Sequence, residues 1–222
     1  MSTRRFPGGV LFDLDGTLLD SAPDMLATAN RLRGAHALPP MQLAQIRPHV
    51  SRGSRAMLAA AFPHLASTDT EAMVPNFLET YLQELGKHGA LFDDIERMLS
   101  ALDVGATAWG IVTNKPEYLA RELLPQLGWE TRCAVLIGGD TLAERKPHPL
   151  PLLVAAERLG VAVSDCVYVG DDERDIQAAR AAGMPSIAAL WGYRQDHEDP
   201  AEWGADVLLA SPDQLLDPAN WP

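Results

Sequence analysis

The stretch VLFDLDGTLL (residues 10–19) joins an apolar run to two carboxylates and a glycine. Its first residues have the continuous apolar character of a strand that is buried on both faces of a sheet. Asp13 and Asp15 follow two residues apart, which places both side chains on the same side of an extended segment. Gly16 then permits a tight turn. We therefore predict that the chain leaves a buried core here and enters a functional site.

Six short apolar runs of this kind occur along the chain. They are continuous rather than alternating, which is typical of parallel strands covered by helices on both faces. Helical segments that end at a glycine separate most of the later runs. The pattern predicts an α/β fold with a Rossmann-like parallel sheet. The predicted strands are residues 8–12, 108–113, 134–139, 166–170, 186–190 and 205–210.

The segment from residue 21 to residue 90 interrupts this alternation. It contains three helical patterns (DMLATANRLRG, RAMLAAAF and TEAMVPNFLETYLQELG) and no convincing strand. We interpret it as a helical insertion between the first strand and the rest of the sheet. The predicted organisation is a core made of residues 1–19 and 91–222 and an inserted domain made of residues 20–90.

Polar residues follow four of the predicted strands. In an open α/β sheet, ligands bind at the carboxyl ends of the strands. We therefore expect a hydroxyl, an ammonium and two groups of carboxylates to converge on one edge of the sheet. The residues are Asp13, Asp15, Thr113, Asn114, Lys146, Asp171, Asp172 and Asp175.

Such a group of carboxylates requires a cation, because close negative charges repel and one group would otherwise be protonated. Oxygen ligands without histidine or cysteine suit Mg²⁺, which also binds substrate phosphate. Lys146 and Thr113 would then stabilise charge on a phosphoryl group. Hydrolysis of a phosphomonoester is very slow without a catalyst, and enzymes accelerate it by up to about 10²¹-fold. A metal, a lysine and a covalent two-step route suit that task.

Four motifs in this order resemble those of the haloacid dehalogenase (HAD) phosphatase superfamily. They are DLDGT (13–17), VTNKP (112–116), RKPHP (145–149) and GDDERD (170–175). The resemblance extends over nearly the whole chain and is strongest to the phosphoglycolate phosphatase-like branch. In that branch a helical cap lies between the first and second motifs. The resemblance thus implies a HAD-like α/β core with residues 20–90 as the cap.

The resemblance also implies roles for individual residues. Asp13 is the nucleophile and forms an aspartyl-phosphate. Asp15 protonates the leaving alcohol as a general acid and then activates water as a base. Thr113 and Asn114 hydrogen-bond the phosphoryl oxygens, and Lys146 neutralises the charge of the nucleophile and the phosphoryl group.

The same resemblance implies a ligand set for Mg²⁺. The ligands are the Asp13 carboxylate, the Asp15 backbone carbonyl and Asp171, with Asp175 in support. Asp172 departs from the family pattern, because relatives often carry Ser or Thr at this position. We expect its additional negative charge beside the metal to alter metal affinity without removing a required group.

The segment HVSRGSRAM (49–57) joins a loop to a helix in the predicted cap. In related proteins a cap loop in this region reaches the active site, and an arginine there can meet a substrate carboxylate with two hydrogen bonds. We predict that Arg52 and Gly53 contact the substrate. The alternative is a helix N-cap with arginines that face solvent. Asp20 and Ser21 are expected at the hinge of the cap, whose closure would exclude water.

The predicted function is Mg²⁺-dependent hydrolysis of a small-molecule phosphomonoester through an aspartyl-phosphate. Two substrates remain open. The branch as a whole suggests 2-phosphoglycolate. The segments RGSRAM, AWGIVTNKP, GDDERDI and WGADVLL are similar to those of N-acetylmuramic acid 6-phosphate phosphatases of cell-wall recycling, and we favour the sugar phosphate slightly.

Three other functions compete with hydrolysis of a phosphomonoester. A β-phosphoglucomutase-like phosphotransferase shares the motifs, but would isomerise its substrate with little release of phosphate. A dehalogenase fits poorly, because those relatives lack the second aspartate and Asp15 is present. A non-enzymatic phospho-acceptor receiver domain also places Asp, Thr and Lys at strand ends, but it is shorter and has no helical insertion.

Composition excludes several partners. The chain has 222 residues and a net charge of −12, so its surface repels nucleic acid and anionic membranes. Cys133 and Cys166 form no CxxC pair, which fits a reducing compartment. The first apolar run is short and broken by Asp13, so we predict no signal peptide or membrane span. We expect a cytoplasmic monomer or homodimer whose partner is a small phosphorylated metabolite.

Overall fold

The computed structural model describes residues 6–222. The five residues before them lie outside the described residues. They include the start of the predicted core and of the segment in which no signal peptide was predicted. The described strands are β1 (Gly9–Phe12), β2 (Leu19–Asp20), β3 (Ala90–Leu91), β4 (Ala108–Val112), β5 (Val135–Ile137), β6 (Cys166–Gly170), β7 (Ser186–Ala189) and β8 (Val207–Leu209). The described α-helices are α1 (Ala22–Ala35), α2 (Leu43–Ile46), α3 (Ser54–Ala61), α4 (Ser67–Ala72), α5 (Val74–Glu84), α6 (Ile95–Val104), α7 (Glu117–Gln126), α8 (Leu150–Leu159) and α9 (Glu173–Ala182).

Six strands form one sheet in the order β5-β4-β1-β6-β7-β8. Every neighbouring pair is parallel. Strand β1 is central and fully buried, and its Phe12 lies opposite Ile111 of β4 and Val169 of β6. All six predicted strands are present, with ends that differ from the prediction by at most two residues. The predicted α/β fold with a Rossmann-like parallel sheet is therefore confirmed.

The helices α1–α5 lie between β2 and β3. These two short strands pair in antiparallel fashion, with Leu19 opposite Leu91 and Asp20 opposite Ala90. They form the place where the chain leaves the sheet and returns to it, and the boundaries predicted at residues 20 and 90 fall within them. The sequence indicated no strand here, because a pairing of two residues leaves no apolar period to detect.

One predicted helix is divided in the structure. The pattern TEAMVPNFLETYLQELG (70–86) belongs to two helices, α4 and α5, which are separated by Met73. Pro75 lies in the first turn of α5, where its missing N–H group would have no partner within the helix. The proline therefore begins a new helix instead of continuing the old one. Helix α2, with four residues, is too short for the periodicity to have predicted it.

Asp24 of α1 links the start of the insertion to the segment that leaves it. Its carboxylate is fully buried and accepts hydrogen bonds from three backbone N–H groups in the segment that follows α5. The donors are Gly86 at 3.0 Å, His88 at 2.7 Å and Gly89 at 3.0 Å. Hydrogen bonds to an ionised carboxylate are stronger than neutral ones. The return path to β3 is thus held against the start of the outgoing helix.

The largest cluster of buried apolar side chains extends from the sheet into the insertion. It contains Phe12 of β1 together with Phe77 and Tyr81 of α5. The insertion is consequently packed against the carboxyl edge of the sheet. None of the described helices is both long enough and apolar enough to cross a membrane.

Candidate active site

The predicted site residues lie at one edge of the sheet. Asp13, Thr113 and Asp171 each directly follow a strand, β1, β4 and β6 respectively, and Lys146 lies in the loop after β5. Because these strands are parallel neighbours, their carboxyl ends meet at the same edge. Asp13, Asp15 and Thr113 line a cavity of about 410 Å³ between this edge and the inserted helices.

Lys146 is a buried cation between two carboxylates. Its Nζ lies 3.1 Å from Asp13 Oδ1 and 2.7 Å from Asp175 Oδ1. It also donates a 2.7 Å hydrogen bond to the hydroxyl of Tyr168. Burial lowers the pKa of Lys146, but the charges of Asp13 and Asp175 outweigh it, so the pKa lies above its usual value. The ammonium therefore stays charged beside Asp13.

Asp13, Asp171 and Asp175 form a compact carboxylate cluster. One oxygen atom of each lies within 4.8 Å of the others, and all three residues are buried. Burial raises the pKa of Asp171 well above its usual range, and the charges of Asp13 and Asp175 raise it further. Burial also raises the pKa of Asp175 to about 7 despite the opposing charge of Lys146. A divalent cation among these oxygens would offset their repulsion.

Three hydrogen bonds from distant segments of the chain orient the Asp171 carboxylate. Thr17 Oγ1 donates to Oδ1 at 2.8 Å, and the backbone N–H of Tyr193 donates to Oδ2 at 2.9 Å. Ser51, from the inserted domain, donates to Oδ2 at 3.0 Å. Gly16 has φ of +90°, and a Cβ atom there would lie 2.1 Å from Asp171 Oδ2. The DLDGT turn therefore needs glycine for its backbone conformation and for the close approach of this carboxylate.

Asp172 does not add an unpaired charge beside the cluster. It is the N-cap residue of α9, and its carboxylate accepts from the backbone N–H of Arg174 at 3.0 Å. The Arg174 guanidinium also donates to it, at 2.7 Å from Nε. Burial raises the pKa of Asp172, but these interactions with Arg174 outweigh it, and the pKa lies below its usual value. The positive charge of Arg174 therefore offsets the negative charge through which Asp172 was expected to alter metal affinity.

Asp15 is paired with a lysine that the sequence analysis did not assign to the site. Lys115 Nζ lies 3.1 Å from both carboxylate oxygens of Asp15. The same ammonium forms a short hydrogen bond with the hydroxyl of Tyr81 on α5. The ammonium thus connects a carboxylate of the core to the inserted domain.

Thr113 and Asn114 line the cavity. The Thr113 hydroxyl oxygen accepts from the backbone N–H of Lys115 at 3.3 Å, so its O–H group can donate elsewhere. Asn114 Nδ2 donates to the Lys146 carbonyl at 2.9 Å. Asn114 Oδ1 is buried and has no hydrogen-bond partner among the described residues. The Thr113 hydroxyl can therefore donate to a ligand in the cavity, whereas the unpartnered atom of Asn114 is a buried acceptor.

Arg52 and Gly53 also line the cavity. The Arg52 guanidinium forms an ion pair with Glu198 of the core, and its side chain is 43% exposed. Gly53, with φ of +83°, is the N-cap residue of α3. The loop forms a helix N-terminus, as in the alternative interpretation, and it lies at the cavity. Contact of Arg52 and Gly53 with the substrate stays a prediction. Asp20 lies in β2 and Ser21 is the N-cap residue of α1, where the hinge was expected.

The contacts that the sequence analysis missed include those of Thr17, Lys115, Ser51 and Tyr193. Thr17 and Lys115 lie inside recognised motifs, so their position in DLDGT and VTNKP was a usable signal. Ser51 and Tyr193 reach Asp171 from distant segments and leave no local pattern. Ser51 and Tyr193 could therefore be identified only from the tertiary structure.

Comparison with known proteins agrees with this arrangement. The family profile of haloacid dehalogenase-like hydrolases matches residues 10–189. A phosphoglycolate phosphatase of Xanthomonas campestris pv. campestris is 67% identical over 98% of this chain and 99% of its own length. An N-acetylmuramic acid 6-phosphate phosphatase of Pseudomonas aeruginosa is 42% identical over 94% of this chain and 92% of its own length.

A solved structure shows the same fold. The crystal structure of a predicted phosphoglycolate phosphatase from Haemophilus somnus superposes with a TM-score of 0.82 and 25% sequence identity. The match covers 95% of this chain and 96% of that one. The chain therefore belongs to the haloacid dehalogenase-like hydrolase family, among its phosphatases.

Proposed function

We propose that this protein is a Mg²⁺-dependent phosphomonoesterase that works through an aspartyl-phosphate on Asp13. The observation that carries the proposal is the position of the Asp13 carboxylate. It lies at the cavity, 3.1 Å from the Lys146 ammonium and within the cluster formed with Asp171 and Asp175. A buried carboxylate at the floor of a cavity, beside a fixed cation, is suited to attack an electrophilic phosphorus atom.

In the first step an Asp13 oxygen forms a bond to phosphorus, and the bond from phosphorus to the ester oxygen breaks. The electron pair of that bond stays on the ester oxygen, which takes a proton from Asp15 and leaves as the alcohol. In the second step water attacks phosphorus and gives a proton to Asp15, and the bond to Asp13 breaks to release inorganic phosphate. Lys146 offsets negative charge near Asp13 in both steps.

The residues present fit a magnesium ion. The donor atoms that lie together are carboxylate oxygens of Asp13, Asp171 and Asp175, and oxygen is the donor that Mg²⁺ prefers. The Asp15 backbone carbonyl is proposed as a further ligand. Asp175 is suited to support the site, because Lys146 and the Asp172 N–H group engage its two oxygens. When bound, Mg²⁺ neutralises charge on the carboxylates and on the transferred phosphoryl group.

The cavity favours a substrate larger than 2-phosphoglycolate. Pockets of about 300–1,000 Å³ enclose drug-sized ligands, and the cavity of about 410 Å³ lies in this range. A two-carbon acid ester would leave much of it unfilled. One wall is apolar, which suits an acyl or sugar-ring surface better than a compact anion. The apolar lining residues are Met25, Val50, Met57, Val74, Phe77, Leu78 and Leu119.

Cations at the cavity suit a substrate that carries a carboxylate besides its phosphate. Arg145 lines the cavity and makes no ion pair with any described residue. Arg52 could exchange its partner Glu198 for a substrate carboxylate, since carboxylates bind guanidinium groups through two hydrogen bonds. N-acetylmuramic acid 6-phosphate combines a sugar ring, an acetyl group and a carboxylate. We therefore favour it over 2-phosphoglycolate as the substrate.

A screen of phosphorylated metabolites tests the proposal. Phosphate release is measured with Mg²⁺ and with EDTA, and initial rates on the two named substrates are compared. We expect activity that requires Mg²⁺ and is higher on the sugar phosphate. Equal weak rates on both substrates would reject both assignments. Isomerisation of a sugar phosphate without release of phosphate would identify a mutase instead.

A further inference from the structure

We infer that Lys115 is a positioning residue for Asp15 and that Tyr81 of the inserted domain holds it in place. The inference rests on the proposed function, in which Asp15 protonates the leaving group. Lys115 pairs with Asp15 and Tyr81, whereas the nucleophile Asp13 pairs with Lys146. The role of Lys115 and Tyr81 concerns the direction in which the Asp15 carboxylate points.

The first observation is the geometry of the Lys115–Asp15 pair. Lys115 follows β4 and is 7% exposed, so little water competes for its ammonium. Its Nζ lies 3.1 Å from each Asp15 oxygen. A contact with one oxygen leaves the carboxylate free to turn about its last bond, whereas a contact with both restricts that rotation. A group that transfers a proton must be held within hydrogen-bond reach of its target atom.

The second observation is how Tyr81 confines the ammonium. Tyr81 is 1% exposed, and its hydroxyl oxygen accepts a hydrogen bond from Lys115 Nζ. The same nitrogen lies 4.3 Å from the centre of the Tyr81 ring, a favourable cation–π contact. A lysine side chain has several rotatable bonds, and these contacts restrict them at its charged end. The position of Asp15 is therefore linked to the docking of α5 on the core.

A purely stabilising role accounts poorly for this arrangement. Removing two charges from water is unfavourable, and a buried ion pair often stabilises a fold no better than apolar side chains of similar volume. The wall beside Lys115 is already apolar, with Phe77, Leu78 and Leu119 at the same cavity. Apolar residues in place of both Lys115 and Asp15 would therefore be expected to stabilise the fold equally well. The lysine instead contacts the carboxylate that takes part in proton transfer.

The docking of α5 on the core would also set when Asp15 can transfer a proton. Tyr81 belongs to α5, whereas Asp15 and Lys115 belong to the core. When α5 is docked, both contacts of the ammonium can form and Asp15 is held in place. When α5 moves away, Lys115 loses its hydroxyl and ring partner and Asp15 is less constrained. Proton transfer would thus be favoured when the inserted domain covers the cavity and excludes water.

Leaving-group dependence tests the inference. Glycerol 2-phosphate needs a proton on its departing alkoxide, whereas p-nitrophenyl phosphate releases a stabilised phenolate that does not. Neither leaving group carries a charge that Lys115 could bind directly. We measure kcat/KM, which reports the first step, for the wild type, Lys115→Met and Tyr81→Phe. Asp15→Asn is the reference for complete loss of the general acid.

We expect Lys115→Met to lower kcat/KM on glycerol 2-phosphate by roughly 10- to 100-fold, a part of the general-acid contribution. The loss on p-nitrophenyl phosphate should be several times smaller. Tyr81→Phe should show the same selectivity with a smaller loss, and Lys115→Arg should restore part of the activity. The control variants Lys87→Met and Tyr118→Phe change exposed residues and should match the wild type on both esters.

Equal losses on the two esters in Lys115→Met would overturn the inference, because they would show a general disturbance of the site. If thermal unfolding shows that Lys115→Met does not fold, the test rests on Tyr81→Phe alone. Equal losses of kcat/KM on the two esters in Tyr81→Phe would then overturn the inference. A wild type that hydrolyses neither ester would reject the proposed phosphomonoesterase function, which is a separate outcome.

Discussion

The two walls of the cavity differ in how their charged groups are held. On the sheet side, Asp13, Asp171 and Lys146 are all less than 10% exposed. Asp13 and Asp171 directly follow strands, and Lys146 lies in the loop between β5 and α8. On the side of the inserted domain, Arg52 and Arg55 have side chains that are 43% and 62% exposed. Groups at the ends of buried strands have little freedom, whereas long exposed side chains can change partners.

This difference separates reaction chemistry from substrate choice. Attack on phosphorus requires groups held to within a fraction of an ångström, which a packed sheet supplies. Recognition of a leaving group can use side chains that adapt to it. Substitutions on the sheet side should therefore affect the rate of every substrate, and substitutions on the inserted side should change the order of substrates.

Asp13→Asn should have the largest effect. An amide cannot form the aspartyl-phosphate, so kcat should fall by roughly 10⁴-fold or more, as for loss of other catalytic nucleophiles. Thermal unfolding should still be cooperative, since the substitution preserves the shape of the side chain. Phosphate release on every active substrate is the measurement. Activity within tenfold of the wild type would show that Asp13 is not the nucleophile.

Gly16→Ala should damage both the site and the fold. The new Cβ atom would lie 2.1 Å from Asp171 Oδ2 at a backbone φ of +90°. We expect a loss of about 1–3 kcal/mol in the free energy of unfolding, together with a higher Mg²⁺ requirement. Chemical denaturation and a magnesium titration of activity measure the two effects. Gly34→Ala, at a position with open space around its Cβ, is the matched control.

Arg52→Ala should change substrate preference more than catalysis. Loss of a guanidinium that meets a substrate carboxylate should raise KM for carboxylated phosphomonoesters by roughly tenfold, with kcat nearly unchanged. Arg31→Ala, which removes another exposed arginine of the inserted domain, is the control. Steady-state kinetics on N-acetylmuramic acid 6-phosphate and on glucose 6-phosphate provide the comparison. Equal KM values for Arg52→Ala and the wild type would show that Arg52 does not contact the substrate.

Asp172→Ala should have the smallest effect on activity. The side chain caps α9 and pairs with Arg174, so its removal should cost about 1 kcal/mol of stability. Asp172→Ser should recover most of that stability, because serine also caps a helix. Activity of both variants should stay within about twofold of the wild type, since the hydrogen bonds of the Asp172 side chain go to Arg174 and none goes to Asp13, Asp171 or Asp175. A large loss of activity in Asp172→Ser would show that the carboxylate itself acts at the metal site.

The parts of the molecule that were predictable from the sequence are those encoded locally. The strands of the sheet are continuous apolar runs, and Asp13, Thr113 and Asp171 directly follow three of them, so their common edge could be inferred. The pairing of β2 with β3 could not, because two-residue strands lie about 70 residues apart and have no pattern of their own. Pro75 indicated the division between α4 and α5, but the apolar period continues across the division and predicted a single helix.

The amino-acid sequence by itself determined the α/β class, the helical insertion and the chemical groups at the sheet edge. These follow from apolar periodicity and from residues that stand next to strand ends. The tertiary structure alone decided that Lys115 meets Asp15, that Ser51 and Tyr193 hold Asp171, and that Arg174 offsets Asp172. These contacts depend on distances between side chains after packing, and most of them join distant segments of the chain.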